Sequence, residues 1–400
     1  MLLDRFIKYV KIDTMSGKEK TKTPSTQKQF NLAHVLIDEL KELGLEDIKL
    51  TDDCILTATL KANTNESDDT IGFFAHLDTI PDVSGTNVNP QIVKNYDGNP
   101  IHLKNNITLD TVQFPFMKNL VGKTLITTDG TTILGADDKA GIANIMTMLE
   151  FFVNNPDVKH TTIKVGFSAD EEIGGGLDDF DVKAFNADYA YTIDGGSYNE
   201  LNYECFNAAS VKIHIDGLDI HPGSAKDKMI NAALIATEFE MMLPAYQKPM
   251  YTEGYEGFNH LCYINGCVGY ADMEYILRNH DLAQLQLQKE NFILVKDFLN
   301  KKYGDVVKLT ITDGYLNMAE YIKKDPRSIN RAIDRMKRLG ITPDITPIRG
   351  GTDGAKLTLM GLNTPNLGTG GYNCHGQYEF ACLEEMQKVV DILIEIAKVY

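Results

Sequence analysis

Residues 137–172 read DDKAGIANIMTMLEFFVNNPDVKHTTIKVGFSADEE. Ile142, Ile145, Met146, Leu149 and Val153 fall on one helical face, so the spacing predicts a helix over Asp138–Asn154. An Asn-Asn-Pro-Asp break follows, then the apolar run Thr161–Ser168, which predicts a buried strand. Helix followed by strand is the repeating unit of an α/β fold. Two acids, Glu171 and Glu172, stand just past the strand. Open α/β sheets place their ligands there, beyond the carboxyl ends of the strands.

The same alternation extends in both directions. Strands are predicted at Ile55–Leu60, Thr70–Ala75, Lys123–Thr127, Asp188–Ile193 and 365–367. Helices are predicted at about 25–43, 327–339, 353–360 and 383–398, and the opening MLLDRFIKYVKIDT reads as an amphipathic first helix. The expected architecture is α/β, a mostly parallel sheet covered by helices on both faces. The middle reads differently. Strands at Ala209–Asp216, Asn259–Asn265, Asp272–Asn279 and Val306–Ile311 interleave with helices at Asn231–Leu243 and Asp281–Tyr303. That β-α-β-β-α-β order predicts an inserted α+β, ferredoxin-like domain over 206–316. Residues 1–205 and 317–400 are then the catalytic, metal-binding domain, and the insert a lid or dimerisation domain.

Composition narrows the function. The chain has 400 residues, 43% hydrophobic and 24% charged, as expected of a globular protein. Its 39 basic and 56 acidic residues give a net charge of −17, which argues against nucleic acid as a partner. No run reaches the roughly 18 apolar residues of a membrane span. Six cysteines without a CxxC pair fit a reducing compartment, so the cytoplasm is expected.

Candidate chemistry gathers at the strand ends. His76 and Asp78 lie two apart after TIGFFA, so in extended chain their side chains share a face. A carboxylate so placed can fix a metal-bound imidazole, although a surface turn would read the same. Asp137 precedes a helix, as a metal bridge or as an N-cap, with Asp138 the better cap. Adjacent Glu171 and Glu172 can divide ligation and proton transfer between them, or form a solvated acidic turn. Asp194 follows YAYTI, and His375 sits among glycines in TGGYNCHG. Together these residues supply the ligand types of a two-metal hydrolytic site. His221, in a His-Pro-Gly turn, could present its ring outward. Arg349 could clamp a substrate carboxylate or form a surface salt bridge.

The motifs HLDT, LGADDKAGIA, DEEIGGG, TIDGG, FNAASV, HPGSAK, TEGYEGF, IRGGTDGAKL and TGGYNCHG, in this order, resemble the dinuclear zinc exopeptidase family that includes aminoacylase-like and carboxypeptidase-like members. The match covers nearly the whole chain, and the EGYEGF, RGGTDG and GGYNCHG motifs are similar to its tripeptide aminopeptidase branch. The resemblance implies two Zn2+ per subunit, with Co2+ or Mn2+ as substitutes. It implies that His76, Asp137 and Asp194 hold one ion, and Asp137, Glu172 and His375 the other. Asp78 would orient His76, Glu171 would act as general base, and the Asp137–Asp138 bond would be cis. His221, Arg278 and Arg349 would hold a small peptide substrate or its oxyanion. The exposed strand of the insert would pair with a second copy, as a homodimer. The expected reaction is release of the N-terminal residue from a tripeptide. A deacylase or carboxypeptidase would use the same centre, and a non-catalytic peptide-binding protein is the remaining alternative.

Overall fold

Thr70–His76 lies at the middle of a seven-stranded sheet, paired in parallel with Thr162–Ser168 on one side and Tyr189–Gly195 on the other. The computed structural model describes residues 1–18, 22–67 and 69–400. From edge to edge the strands are Glu46–Leu50, Leu56–Leu60, Thr162–Ser168, Thr70–His76, Tyr189–Gly195, Asn366–Gly368 and Leu201–Asn202. The four central strands are mutually parallel, and the outer ones add antiparallel. Side chains alternate across the sheet. Phe73 stacks on Tyr191 at 5.8 Å on one face. Phe74 and Ala190 pack with Leu177, Phe185 and Leu357 on the other. Parallel strands buried on both faces need apolar runs, and that is how they read in the sequence.

Helix Ala136–Asn154 crosses from the Leu125–Thr127 strand back to Thr162–Ser168. Gly141 permits its close approach to the sheet, because a Cβ there would stand 1.9 Å from the Ile193 carbonyl oxygen. The helix expected at 25–43 runs only over Gln29–Glu42. Its first four residues are drawn off, since Ser25 gives its backbone N–H and hydroxyl to Asp170. Two features went unforeseen. Strand Glu46–Leu50 is a charged, largely exposed edge. The other is a small sheet in which the expected strand, observed at Leu125–Thr127, pairs with Gln91–Val93 and Phe380–Cys382, the latter next to Gly371–Tyr372; these three partners are too short to show a period.

Two compact units result. One comprises Met1–Tyr203, Glu320–Thr346 and Thr352–Tyr400, and contains the seven-stranded sheet. The other comprises Glu204–Ala319 and Pro347–Gly351. It holds a four-stranded antiparallel sheet in the order Phe258–Gly266, Tyr270–Asn279, Asn207–Asp216, Val307–Asp313. Helices Ala232–Met242 and Leu282–Tyr303 cover it through a core that includes Val211, Ile213, Phe239, Met273 and Phe292. Asn231 and Asp281 cap these helices, accepting N–H groups from Leu234, and from Ala283 and Gln284.

Candidate metal centre

Because its central strands are parallel, the sheet of the first unit brings their carboxyl ends to one edge. His76 ends its strand level with Ser168, and Asp194 is the last but one residue of Tyr189–Gly195. Glu171 and Glu172 open a single 3-10 turn beyond Ser168. Asp137 and Asp138 keep non-helical dihedrals at the helix start and are joined by a cis peptide bond. Asp138 Oδ1 accepts the Gly141 N–H at 3.1 Å, the cap expected of it, and its Oδ2 accepts the His76 N–H at 3.2 Å. His375 stands on a loop at φ 67°.

Two groups of donor atoms form. Those of His76, Asp137 and Asp194 lie within 4.8 Å of one another, as do those of Asp137, Glu172 and His375. Asp137 belongs to both. Its Oδ1 is 2.8 Å from His76 Nε2, and its Oδ2 is 3.1 Å from His375 Nε2. His76 Nε2 is also 3.5 Å from Asp194 Oδ1, and His375 Nε2 is 3.0 Å from Glu172 Oε2. Imidazole nitrogens and carboxylate oxygens are the donors that zinc, cobalt and manganese take, so the residues fit a pair of such cations.

Electrostatics points the same way. Burial, and then the negative charges of Asp194, Asp353 and Glu172, push the Glu171 carboxyl well above its ordinary range. Burial raises Glu172 to about 7, and Asp194 and Asp353 to about 6. Burial would lower the His76 pKa, but the negative charges of Asp194, Asp137 and Asp78 outweigh it and push it well above its ordinary range. Desolvation would raise the carboxyl of half-buried Asp137, yet hydrogen bonds from His375 and His76 hold it below its ordinary range. A buried cluster of acids with so few cationic partners is stabilised by divalent ions.

Asp78 does more than face His76. Its Oδ1 is 3.3 Å from His76 Nδ1 and accepts the Glu171 N–H. Its Oδ2 accepts the Glu172 N–H and the Ser16 hydroxyl. Sequence reading passed over two further acids. Asp170 ties the turn to Ser25 and Gln29. Glu379 is 1% exposed and takes N–H groups of Leu134, Gly135 and Asp137. Their one signal was proximity in sequence: Asp170 adjoins Glu171, and Glu379 follows His375 by four residues.

Seven of the ten residues singled out from the sequence thus meet in the first unit. The other three belong to the second. His221 is exposed and accepts the Gly223 N–H at Nδ1, which leaves the proton of its neutral ring on Nε2. Arg278 donates to the Leu277 and Ala209 carbonyls and lies over Tyr315. Arg349 spends four N–H contacts on the Thr252–Glu256 loop and stacks over Phe206.

Fold and site together define a class, and comparison agrees: residues 126–399 match Peptidase family M20/M25/M40, and the chain belongs to that family. It is a peptidase, a hydrolase of peptide bonds. Its similarity is high to proteins named Peptidase T. It is 52% identical to that of Alkaliphilus oremlandii over 404 residues, covering 100% of this chain and 99% of the relative. It is 49% identical to that of Caldanaerobacter subterraneus subsp. tengcongensis, covering 100% and 98%. Among solved structures, the aminopeptidase PepT of Bacillus cereus superposes with a TM-score of 0.78 at 22% identity, covering 99% of this chain and 97% of that one. A dinuclear metal binding peptidase of the M20 family from Bacillus subtilis superposes at 0.67 with 14% identity, covering 99% and 96%. These likenesses bear out the family resemblance and the α/β fold read from the sequence.

Proposed function

We propose that the chain is an aminopeptidase that releases the N-terminal residue of tripeptides. The sharing of Asp137 between two donor groups carries this reading, together with the full-length similarity to Peptidase T proteins. His76, Asp137 and Asp194 would hold one zinc ion, and Asp137, Glu172 and His375 the other; Co2+ and Mn2+ suit the same donors. Bound there, two such ions polarise a scissile carbonyl and lower the pKa of water.

The side chains divide the remaining work. Asp78 holds the His76 ring and the backbone of the acidic turn. Glu171, kept basic enough by its buried acidic surroundings, takes a proton from water at its carboxylate and returns it to the leaving amine. His221 would offer its Nε2–H to the developing oxyanion. Arg278 would stand on the substrate side. Arg349 would serve there through the loop it holds. The second unit would act as a lid, and its edge strand Phe258–Gly266 would pair with a second copy. A cytoplasmic location accords with six cysteines that form no disulfide. Among the described residues no helix is long and apolar enough to cross a membrane.

The test is metal analysis of the purified protein with Ala-Ala-Ala hydrolysis before and after chelation. Dipeptide and free alanine should form only with metal present. Hydrolysis of N-acetyl amino acids instead would make it a deacylase. Removal of the carboxyl-terminal residue instead would make it a carboxypeptidase.

A further inference from the structure

Glu379 has no part in the chemistry just described, yet it is almost wholly buried and makes no ion pair among the described residues. Its Oε2 accepts the N–H groups of Leu134 at 2.8 Å and Gly135 at 2.7 Å, and its Oε1 that of Asp137 at 3.0 Å. Every accepted bond comes from the loop that aims Asp137. Its own segment is equally constrained. The Glu379 N–H bonds the Gly376 carbonyl, and Phe380 pairs with Thr127 in the small sheet. Four residues before Glu379 stands His375, on a loop at positive φ with half of its side chain exposed. One carboxylate therefore ties the segment that carries His375 to the loop that carries Asp137. His76 and Asp194 come from sheet strands and need no such tie.

We infer that Glu379 is a positioning residue that sets Asp137 against His375 and so maintains the second cation group, Asp137–Glu172–His375. The inference rests on the two-cation reading. It also predicts an asymmetry: loss of Glu379 weakens the second group, which it ties at both Asp137 and the His375 segment, more than His76–Asp137–Asp194, which it ties at Asp137 alone. Glutamine cannot substitute. Both oxygens of Glu379 face N–H donors, and an amide nitrogen in either place would point a donor at a donor.

The experiment titrates Zn2+ and Co2+ into metal-free wild type, Glu379→Gln and Glu379→Ala by calorimetry, with the melting temperature of each metal-free protein alongside. The cobalt visible spectrum reports the geometry of each site. Wild type should take two ions. In Glu379→Gln one site should lose about 10–100-fold in affinity, while the other changes by much less. Two ions bound by Glu379→Gln with wild-type affinity would overturn the inference. So would a Glu379→Ala protein that melts lower but binds both ions as wild type does, since the role would then be structural alone. A wild type that binds fewer than two ions would instead sink the two-cation reading itself.

Discussion

Asp78 Oδ1 accepts the backbone N–H of Glu171 at 3.0 Å. The same carboxylate lies 3.3 Å from the His76 ring, so one buried acid aligns a ligand candidate and the turn bearing the candidate base. Asp78→Ala should free the turn and leave the ring Nδ1 only its bond to the main-chain carbonyl of residue 78, at 3.1 Å. Its turnover is expected to fall by about 10–100-fold, the usual cost of losing a group that orients a metal ligand. Because Asp78 acts partly through Glu171, the losses should not multiply. Rate constants of the Asp78→Ala/Glu171→Ala double variant check this, and a fully multiplicative loss would show that the two act independently.

Glu171 is assigned the proton transfer, not ligation, because it lies in neither donor group. Glu171→Gln should keep both ions and lose about 10²–10⁴-fold in kcat, with little change in KM. Metal content and steady-state kinetics on Ala-Ala-Ala decide it. Wild-type turnover in this variant would remove Glu171 from the mechanism.

Cation removal should be felt in stability as well as in rate. Burial lifts Glu172, Asp194 and Asp353 above their ordinary carboxylate values, so the metal-free site holds acids that resist ionising. An ion that binds only the folded chain adds about 2.7 kcal/mol at a hundredfold excess over Kd. Melting curves of chelated protein should therefore move up as Zn2+ is returned, and flat curves would mean the site is not loaded in the native state.

The central strands, the covering helices and the insert's β-α-β-β-α-β order were legible because burial on two faces or one imposes a period on the sequence. The candidate donor residues could be grouped from sequence because parallel strands send their ends to one edge, which brings His76, Glu172 and Asp194 near Asp137 despite their separation in sequence. What escaped was whatever depends on hydrogen bonds between distant segments. Nothing local marks Glu379 as the acceptor for the Asp137 loop, or Ser25 as bound to Asp170 instead of starting a helix. Arg349 is the same case. Its sequence setting suggested a substrate clamp, while the folded chain supplies four backbone and hydroxyl contacts for it.

His160 gives a pH dependence away from the site. It is buried against Phe152 at 4.7 Å and donates from Nδ1 to the Thr161 carbonyl. Burial pulls its pKa below the ordinary 6.5, and the Thr161 carbonyl only partly opposes this. Below pH 6.5 the unfolded chain therefore binds more protons at this residue than the folded one. Stability is complete above that value and is lost as pH falls through the lower folded pKa. Between pH 7.5 and 5 the melting temperature of wild type should drop more steeply than that of His160→Gln. Parallel curves would assign the acid sensitivity elsewhere.

Arg349 is half-buried and holds the loop Thr252–Glu256 by its Nη1 on the Gly254 and Glu256 carbonyls, at 2.8 and 2.9 Å, and its Nη2 on Thr252. Stacking over Phe206 and Phe258, at 5.1 and 5.8 Å, sets the plane of that fork. A lysine has the charge but neither the plane nor the paired donors, so Arg349→Lys should behave much like Arg349→Ala. Each should cost about 1–3 kcal/mol in a urea melt, the range for hydrogen bonds to a charged group. Each should also expose Glu253 and Glu256 to a glutamate-specific protease. If Arg349→Ala resists that protease as wild type does while its KM for tripeptides rises, the guanidinium serves the substrate directly and the loop has another anchor.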